Sequence, residues 1–113
     1  MGYDIVSGRS KKEMDEDYNN VLSHIQCQYA YEEHFRKAFG CEISDWNGRL
    51  YKKDRENFIA GIDNFINILE NTQKEIPMYR GYISNCSPKN LIEQMKDLRK
   101  LIQEGKIGYM RIS

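Results

Sequence analysis

The chain has only two prolines, three cysteines and one tryptophan, and its Lys/Arg and Asp/Glu counts cancel. Each shortage excludes something. With Pro77 and Pro88 the only prolines, no proline-rich linker divides the 113 residues, a length that suits one domain with one core. An odd cysteine count (Cys27, Cys41 and Cys86) and the lack of any CxxC fit neither a disulfide framework nor a zinc ribbon. A reducing cytoplasm is the expected compartment. No apolar run approaches the ~20 residues of a membrane span. The opening MGYDIVSGRSKKEMDED has no apolar core of a secretory signal. Val6 stands where a myristoylation motif wants Ser or Thr.

Zero net charge argues against general nucleic-acid binding. The charge is uneven, however. Residues 78–113 carry seven Lys/Arg against three Asp/Glu, while residues 1–40 and 41–77 each carry five against seven. The bland account of this excess is a Lys-rich wet face on the last helix. The heavy use of Lys, Asn, Ile and Tyr resembles that of small proteins from low-GC bacteria or their mobile elements.

What is present is helical periodicity. In Tyr51–Ile76 the residues Phe58, Ile59, Ile62, Phe65, Ile66 and Leu69 fall in one stripe, with Glu56, Asp63, Asn64 and Asn67 opposite. This segment is expected to be the central helix, ended by Pro77. Before it, Ser10 and Glu13 have the spacing of a capping box. The spacing predicts one helix from there to Phe39, with Gly40 as its left-handed cap and a break near Gln26–Gln28 as a variant. Its main stripe is Met14, Tyr18, Val21, Leu22, Ile25, Tyr29, Phe35 and Phe39. Cys41–Arg49 connects the two helices, either as a loop holding Trp46 on the core, which is favoured, or as a hairpin about Asn47-Gly48.

Downstream, Ser87 and Pro88 open a last helix with Leu91, Ile92, Met95, Leu98 and Ile102 on one face, stopped by Gly105. Residues 2–7, 78–84 and 107–113 read as extended. Gly-Tyr pairs open all three, at Gly2, Gly81 and Gly108, which suggests short strands lying together. The expected fold class is therefore mainly α: a single domain of three helices with short terminal or extended strands, with α+β as the alternative.

Three constellations could carry function. His24, Cys27, Tyr31, His34 and Ala38 form a second stripe on the presumed first helix. On such a helix His24 and His34 stand roughly 15 Å apart, too far to share a metal ion. The stripe reads instead as an interface for a homodimer or higher oligomer. Next, Tyr79, Arg80, Tyr82, Tyr109 and Arg111 could line a cleft for a phosphate-bearing, nucleotide-like ligand, because Arg forks onto phosphate and Tyr stacks on bases. Against this, tyrosine and arginine are also ordinary residues of edge strands. Finally, no nucleophile signature surrounds the cysteines, and no GxGxxG, P-loop or HExxH occurs. The expectation is a non-enzymatic protein with no cofactor, no metal and no membrane partner. It would act by protein–protein association as an inhibitor, immunity factor or adaptor, with phosphate-ligand binding as the alternative.

Overall fold

The computed structural model describes residues 2–49, 52–72 and 87–113. Strand β1 (Gly2–Gly8) leads into a short helix α1 (Lys11–Glu16) and a 3-10 turn at Tyr18–Asn20. Strand β2 (Val21–Gln28), a second 3-10 turn (Tyr29–Tyr31) and helix α2 (Glu32–Phe39) follow. A third 3-10 turn (Ile43–Trp46) and the two-residue strand β3 (Gly48–Arg49) precede helix α3 (Lys52–Thr72). Helix α4 (Pro88–Gln103) and strand β4 (Tyr109–Ile112) complete the order. The strands form one antiparallel sheet in the order β2-β1-β4-β3.

This is an α+β fold, and it corrects the mainly α, three-helix expectation. The helix expected from Ser10 to Phe39 does not form. Its first turn is capped as expected, with the Ser10 hydroxyl accepting from the Glu13 N–H at 3.2 Å. The helix stops after Glu16 because short polar side chains offer the backbone another arrangement. Asp17 accepts from the Asn19 N–H at 2.9 Å, and the Asn20 amide donates to the Glu13 carbonyl at 2.7 Å. Released from the helix, Val21–Gln28 pairs along β1, with Ile5 opposite Ile25 and Tyr3 opposite Cys27. The extra residue in β2 between the partners of Ser7 and Gly8 is a bulge.

Where the helices do form, local signals placed them. Helix α2 ends on Gly40 at φ 73°, and Ser87 caps α4 by accepting from the Asn90 N–H at 3.3 Å. In α3, Phe58, Ile62, Phe65 and Leu69 are fully buried. Helix α4 buries Leu91, Ile92, Met95, Leu98 and Ile102 in the same core. The sheet adds Ile5, Ile25, Cys27, Met110 and Ile112 from its inner face. Trp46 packs edge-on against Phe58 at 5.0 Å, so the connection is the loop holding Trp46 on the core. Asn47-Gly48 closes no hairpin; instead Gly48–Arg49 pairs with β4, and the Asn47 side-chain oxygen accepts from the Ile112 N–H.

The Gly-Tyr echo has a partial structural counterpart. The strands opened by Gly2 and followed from Gly108 are antiparallel neighbours; the stretch at Gly81 lies outside the described residues. Gly108 does not leave its backbone open to a ligand. Its N–H donates to the Gly8 carbonyl at 2.9 Å, and a Cβ there would sit 2.3 Å from the Arg9 carbonyl oxygen. Because that neighbour is backbone, Gly108→Ala is expected to displace β4 from β1 and cost about 1–3 kcal/mol. A urea midpoint equal to that of the unmodified protein would refute this close approach.

Candidate functional site

The helices α2, α3 and α4 cover the inner face of the sheet, and α1 lies over only one end of the outer face. Met14, on α1, packs where a Cβ on Gly8 would stand, 2.7 Å from its Cγ. Asp15, also on α1, accepts from the Arg111 guanidinium at 2.6 Å. The side chains on the rest of the outer face are partly or fully exposed. Period-two alternation puts Asp4 and Val6 of β1, His24 and Gln26 of β2, and Tyr109 and Arg111 of β4 on it. In register, Val6 stands between His24 and Arg111, and Asp4 stands opposite Gln26.

A hydrogen-bonded chain of side chains crosses this face. The His24 Nε2 lies 3.0 Å from Asp4 Oδ1, and His24 Nδ1 lies 3.0 Å from the Tyr18 hydroxyl. Gln26 also donates to Asp4 Oδ1 at 3.0 Å. The carboxylate accepts only, so a neutral imidazole places its proton on Nε2 and leaves Nδ1 to accept from Tyr18. The donors on His24 and Gln26 hold the Asp4 carboxyl below its ordinary range, against a small opposing effect of burial. Three segments (β1, β2 and the 3-10 turn) thus meet in one fixed polar arrangement. Beside it, Tyr18 is 68% exposed and Leu22 is 40% exposed.

The expected second stripe is not a face. A strand sends successive side chains to opposite sides, so His24 points outward while Cys27 is buried beneath the sheet. Tyr31 is fully buried in its own chain, with edge contacts to His34 and Phe65. Ala38 is buried on α2, and His34 is half-buried. The proposed self-association seam through His24, Cys27, Tyr31, His34 and Ala38 is therefore removed as drawn: the helix it needs is interrupted, and Tyr31 belongs to the core.

Of the phosphate-cleft residues, Tyr79, Arg80 and Tyr82 lie outside the described residues. Tyr109 and Arg111 share the outer face, with the guanidinium 5.9 Å from the Tyr109 ring centre. Arg111 is engaged with Asp15. Among the described residues, no cluster of three or more His, Cys, Asp or Glu side chains is arranged to hold a metal ion. No described helix is long and apolar enough to cross a membrane.

Asp4, Tyr18 and Gln26 were not foreseen as site residues. The alternation of Ile25 and Cys27 with His24 and Gln26 was the available signal, together with the helix-breaking Asn19-Asn20 pair. Comparison with known proteins adds no relative: no family model, no curated protein and no solved structure matches this chain.

Proposed function

We propose that the protein is a non-enzymatic binding module that associates with another protein, as an inhibitor, immunity factor or adaptor does, and that the partner docks on the outer face of the sheet. One observation carries this reading. Among the described residues, α2, α3 and α4 lie on one side of the sheet and only the short α1 on the other, whose remaining surface presents Tyr18 and Leu22 next to the fixed Asp4–His24–Tyr18 chain. Tyrosine is a favoured anchor at protein interfaces, since it offers large area and a polar tip at small entropic cost. Polar groups already held in place lose little further freedom when a partner binds. The same hydrogen-bonded chain could polarise a hydroxyl, but Tyr18 stands out in water, where catalysis gains little from such a chain. The free thiol of Cys41 supports a reducing cytoplasm as the setting.

The phosphate-ligand reading is weaker, because Arg111 already neutralises Asp15. Two measurements separate the readings. A partner recovered from the native host is expected to bind Leu22→Arg and Tyr18→Ala at least about tenfold more weakly, with melting temperatures unchanged. A nucleotide panel is expected to leave the melting temperature of the free protein unmoved. Full-strength partner binding by both variants would reject the sheet face, and nucleotide stabilisation would favour the phosphate reading.

A further inference from the structure

On the outer face of the sheet, both ring nitrogens of His24 are engaged, by residues from two other segments. Asp4 of β1 meets Nε2 at 3.0 Å, and Tyr18 of the first 3-10 turn meets Nδ1 at 3.0 Å. Asp4 only accepts. The donors on His24 and Gln26 hold its carboxyl below the ordinary range, so it is a carboxylate wherever an imidazole titrates. Nε2 therefore carries a hydrogen whether the ring is neutral or charged. What changes with the charge is the bond to Tyr18.

With the ring neutral, Nδ1 has a lone pair and no hydrogen, so the Tyr18 hydroxyl donates its single hydrogen there. Its oxygen then shows a partner acceptor lone pairs alone, beside a carboxylate that also only accepts. With the ring charged, Nδ1 carries a hydrogen and donates to the Tyr18 oxygen across the same contact. The hydroxyl hydrogen then turns to the outside, where Tyr18 is 68% exposed. The charge of Asp4 is balanced at the same time. No heavy atom has to move, so the face changes polarity and keeps its shape. Few other charges bear on the ring. Around it β1 places Asp4 and Val6, β2 places Leu22 and Gln26, and β4 places Tyr109 and Arg111 beyond Val6. Arg111 is turned to Asp15 of α1, and Asp17, next to Tyr18, accepts from the Asn19 N–H. Among the described residues, Asp4 is the one charged group paired with His24.

We propose that His24 is a proton-operated switch on this face: neutral, it makes Tyr18 and Asp4 a pair of acceptors for an N–H donor of the partner protein, and charged, it turns the Tyr18 hydroxyl into a donor and loosens that partner. The role rests on the sheet face being the docking surface, and it names the chemistry the partner brings there. A donor left facing another donor keeps the cost of losing water and gains no bond. The sign follows from the protons. The complex holds the ring neutral and so binds fewer protons than the free protein, which means that acid favours the free protein.

Nitrogen NMR of the histidine rings in the free protein tests the switch without a partner. His34 is the only other histidine, so His24→Gln assigns the signals. At about pH 7.5 the His24 ring is expected in its Nε2–H form, with an Nδ1 signal that moves in Tyr18→Phe. At about pH 5 both nitrogens are expected to carry hydrogens, with the backbone amide signals of β1 and β2 still those of the paired strands. A neutral ring protonated on Nδ1, an Nδ1 signal indifferent to Tyr18→Phe, or strands that separate on acidification would overturn the proposal. The partner recovered from the native host gives the second measurement. Its affinity for the unmodified protein is expected to fall about tenfold between the same two pH values, and to fall much less for Tyr18→Phe, which has no hydroxyl to turn. No fall, or an equal fall in Tyr18→Phe, would overturn the switch and leave the sheet face standing, because that face is judged by Leu22→Arg at one fixed pH. Full-strength binding by Leu22→Arg and Tyr18→Ala would instead reject the face itself, and the switch with it.

Discussion

Ile62→Asp is expected to abolish cooperative folding. Ile62 lies mid-way along α3, is fully buried, and belongs to the same core cluster as Phe58, Phe65 and Leu69. A carboxylate there would lose its water and find only hydrocarbon around it. Leaving such a charge unpaired costs several kcal/mol even after the group protonates or the core relaxes. A domain of this size has only about 5–15 kcal/mol in total. Circular dichroism on heating is expected to show no cooperative transition. Asn67→Asp adds the same charge on the exposed side of the same helix and should shift stability by no more than about 0.5 kcal/mol. A cooperative melt of Ile62→Asp at the temperature of the unmodified protein would mean that α3 does not bury this face.

Phe65→Ala is expected to cost about 3–5 kcal/mol, the largest loss here from a substitution that keeps the site apolar. The Phe65 ring stacks on Phe35 at 4.3 Å between centroids, with 3° between planes, and meets the edge of Tyr31 at 6.4 Å. These contacts join α3 to α2 and to the turn that precedes it. Truncation removes the transfer term and leaves a cavity between two helices that cannot close without moving each other. Urea unfolding should show a lower midpoint with an unchanged slope. The matching Phe35→Ala removes the other half of the stack, so the double variant should lose less than the sum of the two. Strict additivity would mean that the two rings do not pack together.

The contrast between α3 and β2 shows which features were legible. In α3, Phe58, Ile62, Phe65 and Leu69 repeat at helical spacing, and the same residues are buried. In β2 two periods coexist. Val21, Leu22, Ile25 and Tyr29 satisfy a helical stripe, while Ile25 and Cys27 alternate with His24 and Gln26 as a half-buried strand requires. Within those residues neither period excludes the other. The strand wins because β1, some twenty positions earlier, offers a pairing edge, and because Asp17, Asn19 and Asn20 end the helix before it can reach Val21.

The candidate sites follow the same logic. His24 and Arg111 were singled out in the sequence, but as members of different groups. Only the register of β2, β1 and β4 places them on one face, either side of Val6. Nothing local joins Asp4 or Tyr18 to His24, which is twenty and six positions away, respectively, and Tyr18 fits a helical stripe instead. The expected loop holds Trp46 against the core, and its ring contacts to Phe39 and Phe58 agree.

The sequence by itself determined the helices α3 and α4 and the faces they bury, the punctuation of α4 from Ser87 and Pro88 to Gly105, and the stop of α2 at Gly40. Helical hydrogen bonds run between residues four apart, so a helix carries both partners of each bond and its buried face in one continuous segment. The tertiary structure alone decided that Val21–Gln28 is a strand, that Tyr31 and Cys27 face inward, and that His24 meets Asp4 and Tyr18. A strand finds its hydrogen-bond partners in another part of the chain, and a one-residue change of register turns every side chain to the other face.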